Sequence, residues 1–441
     1  MLRQVLFVAR SEQVGLARHR RTRQHVHRRG RGVARGATRG DFRMRVASRM
    51  LPFVDVDRPV AIPVVAGEQG RRVRLPIAQQ GTGVAIVDIS NPANPTFQAH
   101  YNPADGGKFK DVVIKGNIGY FALDNNGSTT PKGIHIVDLS NPRQPTLISK
   151  IQGTASFQHN HNIFVDGNLL FAAPNDQPRV RVYNISNPAS PVYIREFTTT
   201  GGSTDNLHDL TVRNGKLYTS NTDNGFTDVY NVSNITSPTW TASANKIASF
   251  NVGPRNHSND VTSDGNFIVC CRETSNGDCQ VWSLMTPGTP VRVATINRST
   301  IGVDAYTPHN PVIVGNRLYI SWYQAGVQVF DFTNPADPEH LGGYDTFPGG
   351  ASVPGQYLGG YGGNWGVYPF LGPDRILLSD MESGLFVLNS SALTPDPDRP
   401  GRVDGPFGLP VPTESASVPE PAAAMALPAL FLCRRRSRRS A

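Results

Sequence analysis

Short runs of alternating apolar and polar residues fill the middle of the chain, and nearly every run ends in Gly, Asn, Asp, Ser or Pro. Alternation with a period of two places one face of a strand against a core, and the turn residues between runs mark frequent chain reversals. No long stretch of the middle keeps the helical period of 3.6. The pattern predicts an all-β protein made of many short strands.

The runs repeat. Ile86-Val-Asp-Ile-Ser-Asn-Pro92 recurs as Ile136-Val-Asp-Leu-Ser-Asn-Pro142, Val182-Tyr-Asn-Ile-Ser-Asn-Pro188, Val229-Tyr-Asn-Val-Ser-Asn234 and Val329-Phe-Asp-Phe-Thr-Asn-Pro335. Weaker copies surround Ser283 and Asn389. Aligned on Asp88, Asp138, Asn184, Asn231, Ser283, Asp331 and Asn389, the copies lie 46 to 58 residues apart. A β-rich repeat of that length is the size of one four-stranded propeller blade. The Asn or Asp of the turn can bond the backbone two residues on, and Pro fixes φ. A second Pro (Pro95, Pro145, Pro191, Pro238, Pro290, Pro338) opens the outermost strand, where a missing N–H faces outward.

Each period also holds an earlier strand running into a Gly/Asn hairpin, beginning at Asp111, Asn162, Asp209, Asp260, Asn310 and, more weakly, near Trp365. These are the expected inner strands. The outer element predicts seven blades; the inner pairs count six, the alternative. The propeller is expected over residues 59–390, with 59–79 supplying the poorly marked start of the first blade.

Composition sharpens this picture. The chain has 441 residues with 43 Gly and 35 Pro, and only 17% are charged. Its net charge of +9 is misleading. Residues 1–50 hold 14 Arg against Glu12 and Asp41, and five Arg crowd the last eight positions, leaving a body of about −8. An acidic body repels phosphate backbones, so no nucleic-acid partner is expected. Residues 1–58 read as a disordered Arg-rich segment, too poor in apolar residues to fold. They are expected to reflect a misassigned start that hides an export signal, because Leu6-Phe7-Val8-Ala9 is too short a core for one. Residues 391–417 read as a flexible linker.

The C-terminal segment, 418–441, has a distinctive order. Val418-Pro419-Glu420-Pro421 precedes an apolar run from Ala422 to Cys433, which ends in Arg434, Arg435 and Arg436. This resembles the PEP-CTERM sorting signal. The resemblance implies export to the cell surface, contact with the membrane only through this segment, basic side inward, and processing by an exosortase-type enzyme. The run is shorter than a comfortable span.

Ile-Val-Asp-Ile-Ser-Asn-Pro also resembles the LVIVD-type propeller repeat. The stretches from Pro308 to Asp331, Trp365 to Pro369 and Ser379 to Leu388 are similar to the choice-of-anchor B family, whose members are surface propellers with different C-terminal anchors. The resemblance implies a location and a fold, not a reaction.

Candidate chemistry gathers at the starts of the inner strands: Lys110-Asp111, His161-Asn162, His208-Asp209, Asn259-Asp260, His309-Asn310 and Trp365-Gly366, with His257 three residues before Asp260. Inner strands line the channel, so His161, His208, Asp209, His257, Asp260 and His309 should converge at one mouth. Two readings stay open. These groups bind neighbouring blades together, or they hold a ligand or a divalent metal; the first needs no cofactor and is preferred. No catalytic residue is assigned, for there is no nucleophile elbow, zincin motif, P-loop or dinucleotide fingerprint. The function expected is a surface-anchored binding module for a surface polysaccharide or surface protein, the alternative a metal-assisted hydrolase or lyase. Cys270, Cys271 and Cys279 flank one turn. Cys279 could pair with either neighbour, or all three could be buried thiols.

Overall fold

The computed structural model describes residues 74–79, 83–102, 108–124, 132–153, 159–200, 205–302, 307–347, 362–381 and 383–395. They form an all-β propeller of antiparallel sheets. Five sheets have four strands and two have three. The segments 1–58 and 418–441 and most of 391–417 lie outside the described residues, so the sorting motif and the linker do too.

Blade one is Arg74–Gln79, Gly83–Asp88 and Thr96–Tyr101. Blade two opens with Lys108–Lys115, blade three with Asn162–Asp166, blade four with Leu207–Arg213, blade five with Asn256–Val261 and blade six with Pro311–Val314. Blade seven is Asn364–Tyr368, Ile376–Asp380 and Gly384–Leu388. Each blade from two to six runs innermost to outermost in chain order. Both counts read from the repeat have a counterpart: seven sheets make the ring, and six of them bring an innermost strand to its axis. Blade one has no innermost strand among the described residues.

Apolar cores lie between neighbouring sheets. Ile134, Ile163 and Leu170 join blades two and three, and Phe171, Val182 and Leu217 join three and four. Tyr218 with Ile268, Val269 with Leu318, and Val329 with Leu378 continue the series. Val84, Ile86, Phe121, Leu377 and Val387 share one cluster, so blade seven packs on blade one and the ring closes. The alternating Val and Ile of each third strand supply both faces of these cores.

The turn after each third strand works as its residues dictate. The Oδ1 atoms of Asp88, Asp138, Asn184, Asn231, Asp331 and Asn389 each accept the N–H two residues on, at 2.7–3.1 Å. The Asn before each Pro does the same: Asn91, Asn141 and Asn187 accept from Ala93, Arg143 and Ala189. Every outermost strand carries a register shift against its third strand in blades one to six, which bends the exposed edge.

Cys271 and Cys279 face each other across the pair Phe267–Arg272 and Cys279–Ser283, and they form a disulfide. Cys270 points to the other face, buried as a free thiol. Side-chain alternation decides between the two partners that the sequence left open.

Candidate functional site

The six innermost strands each bring one residue to the same mouth of the channel: Lys110, His161, His208, His257, His309 and Trp365. In four of them the residue sits in a β-bulge. The pairing steps from Phe109 to Asp111, from Leu207 to Asp209, from Asn256 to Ser258 and from Asn364 to Gly366, passing over Lys110, His208, His257 and Trp365. A bulge re-aims the extra side chain, here toward the axis rather than into a blade interface. His161 and His309 lie just before their strands, with their N–H groups on the carbonyls of Ala173 and Ser321.

The rings contact one another in sequence, His161 edge-on to His208 and the rest tilted. Centroids are 4.3 Å apart from His161 to His208, 3.9 Å from His208 to His257, 4.2 Å from His257 to His309 and 4.3 Å from His309 to Trp365. All five side chains are buried. Burial and the neighbouring imidazoles hold His208 and His257 far below the ordinary histidine value, and burial pushes His309 down to about 3. The imidazoles are therefore neutral at physiological pH and offer lone pairs. His309 donates through Nδ1 to the carbonyl of Trp365 at 2.5 Å. Its Nε2, Nδ1 of His161 and of His208, and both ring nitrogens of His257 have no hydrogen-bond partner.

The ends of the second strands rim the same mouth. Asp124, Thr222, Glu273, Tyr323 and Met381 occupy equivalent places, each two residues past the partner of an innermost-strand residue. Glu273 lies 3.5 Å from His257 Nε2 and 3.9 Å from His309 Nε2, and its Oε1 accepts the hydroxyl of Tyr323. Burial pushes its carboxyl up to about 7, against the Tyr323 bond and the charges of Arg255 and Lys110. On the other side, Asp124 bonds His159 at 2.6 Å and lies 3.7 Å from His161. Burial would raise the Asp124 carboxyl, but the two histidines and Lys110 outweigh it and hold it well below the carboxylate range.

The six residues expected at the mouth are thus separated into two roles. His161, His208, His257 and His309 form the stack. Asp260 does not join it: Oδ1 accepts from Val261 and Oδ2 from Ile313 of the next blade, at 2.5 and 2.8 Å. Asp209 Oδ1 accepts from Leu210 at 2.6 Å. The alignment of Asn259-Asp260 with His208-Asp209 is corrected to His257-Ser258, because the register pairs Ser258 with Cys271 as it pairs Asp209 with Ser220. The same layer holds other blade-to-blade bonds: Asp111 with Ile163, Asn162 with Leu210, Thr211 with Asn259 and Ser258 with His309. An axial cavity of about 50 Å³ lies among Asp111, Asn162, Asp209, Asp260 and Asn310, one layer in from the imidazoles.

Glu273, Tyr323 and Asp124 escaped the sequence reading of this mouth. The second strands repeat with the same period, so their far ends carry the signal that places these residues.

Residues 76–103 and 106–152 match the family model of the LVIVD repeat. The chain is a β-propeller that carries LVIVD repeats. No curated protein matches it in sequence. Among solved structures, this LVIVD propeller is similar to a periplasmic gluconolactonase of Pseudomonas aeruginosa, at 12% identity and a TM-score of 0.51, covering 70% of this chain and 93% of that one. It is also similar to a putative 6-phosphogluconolactonase of Bacteroides fragilis, at 12% identity and a TM-score of 0.49 over 76% and 97% of the two chains. A third likeness is to Sqt1 of Chaetomium thermophilum, solved bound to the N-terminus of a ribosomal protein, at 12% identity and a TM-score of 0.49 over 72% and 93%. At such identities the likeness concerns the fold alone.

Proposed function

We propose that this LVIVD propeller is a binding module displayed at the cell surface, with the channel mouth as its ligand site. One observation carries the reading. Four contiguous imidazoles, buried and neutral, keep ring nitrogens that make no hydrogen bond within the protein. Buried polar atoms are nearly always paired, so a preorganised cluster that is not paired internally is suited to an outside partner.

The surface location is supported by the C-terminal order of Val418-Pro419-Glu420-Pro421, apolar run and Arg434-Arg435-Arg436, which resembles a PEP-CTERM signal read by an exosortase-type enzyme. The disulfide between Cys271 and Cys279 supports an oxidising compartment. The resemblance to choice-of-anchor B proteins points the same way. The partner class is a surface polysaccharide or a surface protein. No helix among the described residues is long and apolar enough to cross a membrane.

The test is binding of the full chain to a panel of purified bacterial exopolysaccharides, with the His208→Ala, His309→Ala double variant alongside. Saturable binding lost in the folded variant is the expected result. Equal binding by both proteins would place the ligand elsewhere and remove the channel mouth from the reading.

A further inference from the structure

We infer that the channel mouth holds one divalent transition-metal ion between His208, His257 and Glu273. This rests on the reading of the mouth as the binding site and names what it binds. One ligand atom from each residue lies within 4.8 Å of the others. Side-chain shifts of about an ångström bring such a set to bonds of about 2.0–2.2 Å.

The chemistry of the set is specific. Two neutral imidazoles with one carboxylate suit zinc and its neighbours, whereas magnesium and calcium take oxygen donors. His257 is 1% exposed and neither of its ring nitrogens makes a hydrogen bond within the protein, while Nε2 faces Glu273 Oε2 at 3.5 Å.

The surroundings orient the donors as the outer partners of a metal site do. The Tyr323 hydroxyl donates to Oε1 of Glu273, which leaves Oε2 turned to His257. The bond from His309 Nδ1 to the Trp365 carbonyl keeps that ring against its neighbour, with Nε2 3.9 Å from Glu273 Oε1. The acid is the rim residue Glu273 rather than a strand aspartate, because both oxygens of Asp260 already accept main-chain N–H groups. Lys110 and Arg255 are the cations whose charge reaches Glu273, and Lys110 also acts on His208. They oppose a bound ion and so limit its affinity.

The test uses the full chain, stripped with chelator and titrated with Co²⁺ near neutral pH, then with Zn²⁺. The expected result is one Co²⁺ per chain with visible absorption, displaced by Zn²⁺, and a raised melting temperature. Glu273→Gln, which keeps the side-chain shape, should weaken binding at least tenfold, and Tyr323→Phe about tenfold. Lys110→Met should tighten it, and His340→Ala, on an outermost strand, should leave it unchanged. Circular dichroism of each variant establishes folding. Absence of stoichiometric Co²⁺ uptake, or uptake that survives both Glu273→Gln and His208→Ala, overturns the inference. The two readings fail separately. A chain without metal that still loses polysaccharide on His208→Ala sinks only the ion, and a chain with metal that binds no polysaccharide sinks only the polysaccharide partner.

Discussion

The carboxylate of Asp111, on the innermost strand of blade two, accepts the main-chain N–H of Ile163, on the innermost strand of blade three, at 2.7 Å. Asn162 Nδ2 adds a second bond to the same oxygen at 3.1 Å. Neighbouring innermost strands are not paired as a sheet, so side chains supply the links between them.

Burial pushes the Asp111 carboxyl up to about 7, against its bonds to Ile163 and Val112. The folded chain therefore holds this proton more tightly than the unfolded chain, whose value is 3.8. The contribution is complete below that value and is lost as pH rises through about 7. Stability in urea should fall between pH 4 and 7 by up to roughly 4 kcal/mol from this group. Asp111→Asn, which keeps an acceptor without the charge, should flatten that slope; an unchanged slope would assign it to other groups.

Asp260→Ala removes the acceptor from the buried N–H of Ile313. The expected loss is about 1–3 kcal/mol in denaturant unfolding. Uptake of Co²⁺ per folded chain should not change. A large loss of metal with little loss of stability would restore Asp260 to the ligand set.

The disulfide between Cys271 and Cys279 closes a short loop, with a sequence separation of 8. Loop-closure entropy of that length stabilises the fold by about 2–3 kcal/mol. The double variant Cys271→Ala, Cys279→Ala should lose about that much, and a reductant should then have no further effect on its urea midpoint. Cys270 should resist alkylation in the folded chain, because burial pushes its thiol up to about 12.

Gly326 opens the third strand of blade six at φ +69°, and a Cβ there would meet the Tyr344 carbonyl oxygen at 1.8 Å. Gly326→Ala must open the pair between Val327–Asp331 and Glu339–Tyr344. It should cost about 2 kcal/mol or more, read as a lower melting temperature. A neutral effect would show that this strand edge yields freely.

Much of the blade was legible because its causes are local. Asp88 and Asn91 bond backbone two residues away in their own turn, and alternating Val84 and Ile86 need only a strand to face one core. The bulges at Lys110, His208, His257 and Trp365 were less legible. A bulge inserts one residue without leaving a mark in apolar alternation, and so the sequence pattern of blade five points two residues away from its true register. Glu273 was hidden for a different reason. It stands in a turn beside Cys271 and Cys279, and nothing local distinguishes it from a solvated turn residue.

Sequence alone determined the blade-sized repeat, its antiparallel strands and turns, and which strands face the axis, since each follows from interactions a few residues apart; it left the count at seven or six. Only the tertiary structure decided that ring closure brings His161, His208, His257, His309 and Trp365 into one stack beside Glu273 and Tyr323. Those residues come from different blades some fifty positions apart. Their meeting depends on how the sheets pack around a shared axis and on bulges that turn single side chains inward.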